Sequence, residues 1–340
     1  MTAPTAQADS ALPPRQQATA PLGSLVIVDG NITIPASIKT LGWTSPDPQA
    51  EKYARDNDHV FPKQLTREFN TWLNEPDGFA YWLWGHTGCG KTTFVKQFMH
   101  RLNWGVYSVT CSASTEVESF FGQYTLVKGS MDWIDGPLLK AIKNGGVFLL
   151  NEADTLNPEE FVKLYDLLEA LGTGNSIGVD QLGIHIEPHL YFRVVVTANT
   201  NGAGDESGYL GTQMQSPALM ERFMVAKLGY MAKEHELALL QKVCSIPKDI
   251  LSRMVDLANK VRDAFASDQD SDQRCNLPFS TRSLLQWAKK YEQLGRHEPD
   301  PRNRLPYALD LALLRKGRTE DVLAIETMAK SIFGLDAWRD

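Results

Sequence analysis

The run Gly85-His86-Thr87-Gly88-Cys89-Gly90-Lys91-Thr92-Thr93 constrains this chain more than any other segment. It begins where the apolar stretch "FAYWLW" ends and satisfies G-x-x-x-x-G-K-[ST] at every fixed position. Glycines let the backbone curl until consecutive N–H groups face one point, where a lysine and a hydroxyl add a cation and a metal ligand. Gly85 to Thr93 are therefore expected to cradle a nucleoside triphosphate. Lys91 would serve the β and γ phosphates, Thr92 the Mg²⁺, and the helix beginning at Lys91 its positive dipole end. A glycine-rich turn matching by coincidence is the bland alternative, and a strand before with a helix after argues against it. Cys89 lies inside the loop, where its side chain can point away from the ligand, so a redox role has little support.

The rest of the chain is organised around that strand, turn and helix. Between Phe79 and Tyr230 the apolar runs "FAYWLWG", "GVYSVTC", "GVFLL", "YFRVVVTAN" and "FMVAKLGY" alternate with helical patterns. Such alternation predicts an α/β fold with a parallel sheet sandwiched by helices. After "FLLNEAD" a helix is well marked: Asn157 as cap, Pro158 at its first position, Glu159 and Glu160 against the dipole, then Phe161, Leu164, Leu168 and Leu171 on one face. Beyond Tyr230 the periodicity is helical throughout, including a helix capped by Ser280, which predicts a smaller all-helical domain. The resulting division is a disordered tail over 1–22, a hairpin at Asp29-Gly30 with a linker over 23–60, an α/β domain over 61–231 and a helical lid over 232–340.

Composition narrows the partners. The net charge of −7 comes with no long Lys or Arg run, so nucleic acid is a poor candidate. No apolar run approaches the roughly 18 residues of a membrane helix, and the Ala/Pro-rich start lacks the apolar core of a signal peptide. Cys89, Cys111, Cys244 and Cys275 show neither C-x-x-C nor zinc spacing, which fits reduced thiols and a cytoplasmic protein.

A second strand, "GVFLLNE", ends in Asn151 and Glu152. At such a strand tip one acid usually orients the Mg²⁺ shell and the next polarises the attacking water. Glu152 is the expected general base, a solvated acid being the bland reading. Asn151 takes the metal position with an amide oxygen, which accepts hydrogen bonds without charge, so metal retention should weaken rather than vanish. Asp154 is too far along the chain to substitute and is expected in a supporting or interface position. Asn199 ends the strand "YFRVVVTAN", where its amide could hold the lytic water or touch the γ-phosphate; the alternative is a simple turn residue. Arg222 precedes a strand, placed to meet a neighbouring subunit's γ-phosphate unless it merely pairs with Glu221. Arg282, in the first turn of a lid helix, could reach the same nucleotide. His185 and His189, four apart in an expected hairpin, are more simply solvated surface than a metal site.

On "GHTGCGKTT", "RLNW", "TANTNGAGDESGYLGTQMQSPALMERF", "STRSLLQWA" and "AKSIFG", the chain from about Pro46 onward resembles the P-loop NTPases of the AAA+ class, in the MoxR branch and its cobaltochelatase CobS type. The resemblance implies a hexameric homo-oligomeric ring with ATP and Mg²⁺ between subunits, Arg222 as the finger and Arg282 as the second sensor. It also implies hairpin insertions near 123–135 and 175–190, a partner with a von Willebrand factor A domain, and a protein client. Asn151, where the family has aspartate, and the N-terminal tail depart from the pattern. The leading expectation is an ATP hydrolase that remodels a partner protein. A nucleotide-gated scaffold with little turnover is the alternative, and a DNA-directed motor a weaker one.

Overall fold

The computed structural model describes residues 17–22, 27–28, 38–57, 59–127, 129–204, 211–266, 275–295, 297 and 300–334. Five strands, β1 Ala80–Trp84, β2 Val106–Thr110, β3 Val147–Asn151, β4 Arg193–Ala198 and β5 Phe223–Lys227, form one sheet in the order 5-1-4-3-2. Every pairing is parallel. Parallel strands need crossovers, so helices cover both faces and the central strands are apolar at nearly every position. All residues of β3 and β4 are buried.

Period-two alternation divides that sheet between two cores. Trp82, Phe148, Leu150, Val194 and Val196 face one cluster. It is completed by Leu138, Leu139 and Ile142 of α3 (Pro137–Asn144), Phe161 of α4 (Pro158–Val162), and Leu167 and Leu168 of α5 (Tyr165–Thr173). Tyr81, Leu83, Val147, Leu149 and Val195 face the other. There they meet Leu65, Phe69 and Leu73 of α1 (Lys63–Asn74) and Phe94, Val95, Phe98 and Met99 of α2 (Lys91–Arg101). The helices after the sheet, α6 Lys233–Val243, α7 Lys248–Ala266, α8 Thr281–Leu294, α9 Pro301–Ala312 and α10 Thr319–Phe333, close around their own cluster, which includes Met254, Leu257, Leu284 and Trp287.

The caps fall where expected. Asn157 Oδ1 accepts the Glu159 N–H at 3.2 Å and Ser280 Oγ the Ser283 N–H at 3.1 Å. The single helix expected after Asn157 is instead broken at Lys163-Leu164 into α4 and α5, although Phe161, Leu164 and Leu168 keep one buried face. Periodicity is blind to a two-residue break that preserves the face. Two antiparallel hairpins occupy the anticipated insertions: Gly122–Val127 with Ser130–Asp135, and Ile177–Val179 with Ile184–Ile186.

The tail expectation needs correction at its end. Gln17–Pro21 pair antiparallel with Lys39–Trp43, and Leu22, fully buried, donates its N–H to Ile38 O at 2.9 Å. A strand docks through its backbone and one anchor, so sparse apolar composition did not reveal it. The Asp29-Gly30 turn lies outside the described residues. The linker covers the sheet's edge: Glu51 N–H donates to Val106 O at 3.0 Å and its carboxylate accepts the Ser108 N–H, which occupies ladder groups of β2.

Arg193 joins α1 to β4 from a buried position. Its guanidinium donates to Leu73 O at 3.2 and 3.3 Å and to Leu190 O and Phe192 O at 3.0 and 2.9 Å. Truncation would leave buried carbonyls unpaired at roughly 1–3 kcal/mol each. Arg193→Ala should therefore lose about 3 kcal/mol of stability, read from the shift in urea midpoint at constant slope.

Candidate nucleotide-binding site

The glycine loop lies at the carboxyl end of β1 and enters α2, and the open ends of β3 and β4 stand beside it. Gly90 has φ of 100° with nothing within 4 Å of where a Cβ would be, so the space above it is free for a ligand. Gly88, at φ of 72°, is crowded differently: a Cβ there would come 2.4 Å from the Ser280 Cβ. The cap of α8 thus rests directly on the loop, a contact with no sequence signature.

Lys91 is the centre of the site. The residue is 6% exposed, and its ammonium donates to Gly85 O at 2.6 Å, His86 O at 3.1 Å and Asn199 Oδ1 at 3.0 Å. All three acceptors are neutral, and among the described residues no carboxylate pairs with it. A buried cation lacking a counter-ion is the electrostatic complement of a phosphate chain.

Thr92 Oγ donates to Asn151 Oδ1 at 2.8 Å, and Thr197 Oγ donates to the same oxygen at 3.2 Å. Both lone pairs of the amide oxygen are occupied, while the Asn151 amide nitrogen faces Val109 O at 3.4 Å. The Thr92 proton is spent on Asn151, so its own lone pairs stay available to a cation. This donor set fits Mg²⁺, a hard ion that takes few protein oxygens and keeps phosphate and water ligands. Thr92 would hold it, and Asn151 would orient Thr92.

Glu152 adopts the left-handed conformation, φ 53° and ψ 37°, unusual for a residue with a Cβ. The turn is held by the Thr155 N–H and hydroxyl, both donating to Glu152 O. Its carboxylate accepts the Asn199 side-chain N–H at 2.8 Å. Asn199 therefore bridges Lys91 to Glu152 with one amide, which argues against its being only a turn residue. Asp154 is fully buried behind it and accepts the Asn199 and Thr200 backbone N–H groups at 2.8 and 3.0 Å. Burial raises the Asp154 pKa despite those two N–H bonds. The sequence left it in a supporting or interface position without showing which group it would contact.

The two arginines stand apart from this network. Arg222 donates to Glu169 at 2.6 Å and Ala218 O at 2.7 Å and lies over the Tyr165 ring, 4.7 Å from its centre. Its ionic partner is Glu169 and not Glu221. Arg282 is exposed at the second position of α8, two residues beyond the Ser280 that abuts Gly88. Within the loop, the His86 ring stacks on Tyr230 at 5.8 Å and 7°, and the Tyr230 hydroxyl donates to Thr87 O at 3.2 Å. Burial, followed by Lys227 and Lys91, lowers the His86 pKa. Thr93 is exposed on the first turn of α2. Within the "DHVFPKQ" stretch, His59 packs against Phe61, and Phe61 against Phe94 and Phe98 of α2.

His185 and His189 are not joined. His185 is exposed on its hairpin strand, whereas His189 packs on Trp43 and Tyr191 and accepts the Tyr191 N–H. Among the described residues no cluster of three metal-ligating side chains occurs.

Comparison with known proteins matches residues 81–223 to the AAA domain (dynein-related subfamily) and residues 236–324 to the CbbQ/NirQ/NorQ C-terminal family. The chain belongs to the MoxR-like AAA+ ATPases. It is 28% identical to aerobic cobaltochelatase subunit CobS of a Sinorhizobium species over 283 residues, 79% of each chain. It is 27% identical to protein NorQ of Paracoccus denitrificans over 201 residues, 59% of this chain and 71% of that one. With the denitrification regulatory protein NirQ of Pseudomonas aeruginosa it shares 26% over 185 residues, 54% of this chain and 68% of the relative. The MoxR-like assignment agrees with the 5-1-4-3-2 sheet and the helical region that follows. No described helix is long and apolar enough to cross a membrane.

All four thiols are buried and free. Burial raises the Cys89 and Cys244 pKa values and pushes Cys111 up to about 12 and Cys275 to about 11. A higher thiol pKa means less thiolate at a given pH. Iodoacetamide at pH 8 should therefore leave the folded chain's four cysteines unlabelled and alkylate them after unfolding in guanidinium, as counted by intact-mass spectrometry.

Proposed function

We propose that this MoxR-like AAA+ protein is an ATP hydrolase that works as a homo-oligomeric ring, of six subunits by family resemblance, to remodel a partner protein. One observation carries the reading: the uncompensated Lys91 ammonium is linked through a single Asn199 amide to Glu152, beside the Thr92–Asn151 pair. In this reading the loop N–H groups and Lys91 bind the phosphates of ATP. Mg²⁺, when bound at Thr92, supplies positive charge to the β and γ oxygens. Glu152 takes the proton of the attacking water, Asn199 orients that water, and the γ-phosphoryl passes to water as ADP leaves. Arg222 of one subunit would stabilise the transferring group in the next, and Arg282 would contact the nucleotide from the helical side.

The nucleotide-binding unit is assigned to residues 61–231 and the lid to 232–340. A cytoplasmic location, a partner bearing a von Willebrand factor A domain and a separate protein client belong to the same proposal. A metal-inserting enzyme or another complex is a natural client class, given that one relative is named an aerobic cobaltochelatase subunit. The runner-up is a nucleotide-gated scaffold. It is favoured by the neutral amide at Asn151, whose oxygen is already occupied by two hydroxyls.

Steady-state phosphate release separates these readings. Wild-type protein should hydrolyse ATP, and Glu152→Gln should lose on the order of 10³-fold in kcat while still binding nucleotide. Equal silence of both in the assembled state would leave the scaffold. Asn151→Asp replaces a neutral acceptor with a charge-assisted one, so the Mg²⁺ concentration for half-maximal rate should fall roughly tenfold. Arg222→Ala should cost about 10³-fold in turnover, with ATP binding per subunit retained. A small loss, or one independent of assembly measured by light scattering, would remove Arg222 from the role of a finger.

A further inference from the structure

We propose that Asp154 is the positioning residue for Asn199, setting the amide that bridges the phosphate loop to the general base. The inference rests on the ATPase reading above and adds to it a residue that the loop and strand-tip patterns do not assign.

Asp154 is fully buried two residues beyond Glu152, in the 3₁₀ turn Ala153–Thr155. One of its oxygens, Oδ2, accepts three bonds: Asn199 N–H at 2.8 Å, Thr200 N–H at 3.0 Å and the Thr200 hydroxyl at 3.4 Å. The other, Oδ1, is enclosed with no hydrogen-bond partner. Burying a carboxylate is costly, and here the side-chain bonds go to the two residues that follow β4. Trp82 fixes the same turn from the other side, donating its indole N–H to Thr200 O at 2.9 Å. The Asn199 backbone is therefore clamped, and its side chain emerges with Oδ1 at Lys91 and Nδ2 at Glu152.

A carboxylate suits this task better than an amide. It accepts only, so it brings no N–H that could compete with Lys91 for the Asn199 oxygen, and its bonds to N–H are charge-assisted. Displacement of a water-orienting group by about 1 Å is enough to cost on the order of 10² in rate. Among the described residues the Asp154 side chain hydrogen-bonds to neither Lys91 nor Glu152; its bonds go to Asn199 and Thr200, so its positioning effect runs through Asn199. The same residue's carbonyl accepts the Gln213 N–H at 2.6 Å, which ties the segment leading to Arg222 to the same point.

The test is a double-mutant cycle on the full chain with ATP as substrate. Asp154→Asn should lower kcat about tenfold and Asp154→Ala about a hundredfold, with KM for ATP within about twofold of wild type. In an Asn199→Ala background, Asp154→Asn should cause no further loss, because the group it positions is gone. Hydrogen exchange of the peptide spanning residues 199–200, which needs no turnover, should accelerate several-fold in Asp154→Asn. Asp154→Asn keeps the side chain's size, so the inference stays testable if the alanine variant fails to fold. A wild-type kcat in Asp154→Asn, losses that multiply in the double variant, or unchanged exchange at 199–200 would each overturn it. Absence of hydrolysis by the wild-type chain would instead sink the ATPase reading, and the exchange measurement would still decide the role of Asp154.

Discussion

Everything in the site depends on one buried ammonium group that, among the described residues, pairs with no carboxylate. Lys91 gives its three protons to two carbonyls of its own loop and to the Asn199 amide, so its hydrogen bonds are satisfied while its charge is not. That combination keeps the lysine ordered and leaves an electrostatic demand for an anion. The sheet order makes it possible. With β4 between β1 and β3, the ends of the three strands that carry the loop, Asn199 and Glu152 come side by side.

The same constraint reaches the helical region. Ser280 at the start of α8 occupies the space that a side chain at Gly88 would need, and His86 stacks on Tyr230 in the segment leading to α6. Tyr230 lies under the Arg262 guanidinium, 4.1 Å from its ring centre. Arg262 in turn holds the fully buried Glu236 through two bonds at 2.7 and 2.8 Å, and Thr281 donates to that carboxylate at 2.6 Å. A buried ion pair of this kind adds little net stability but fixes geometry, since neither partner can leave alone without stranding a charge. The phosphate loop and the starts of α6 and α8 are thereby packed as one contact set.

Much of this was legible in advance because it rests on local rules. The loop glycines, the strand before and the helix after, and the Asn157 and Ser280 caps each follow from residue types at fixed spacing, whereas the two insertion hairpins were expected only from the family resemblance. What escaped were features decided by distant packing. The break between α4 and α5 preserves the periodic face, so the pattern could not show it. Gln17–Pro21 dock by backbone pairing, to which composition is insensitive. Arg222 meets Glu169, 53 positions away, rather than its neighbour Glu221. Asp154 and Asn199 meet across 45 positions, and no spacing rule connects them.

The sequence by itself determined that a parallel α/β sheet presents a phosphate-binding turn at a strand end, with a helical region after it. Those outcomes depend on period, capping and backbone freedom, which act within a few residues. Only the tertiary structure decided that Asn151 receives two hydroxyls, that Asn199 spans Lys91 and Glu152, and that Asp154 stands buried behind it. These relations depend on which strand ends become neighbours, and that choice belongs to the packing of the whole sheet between its two apolar cores.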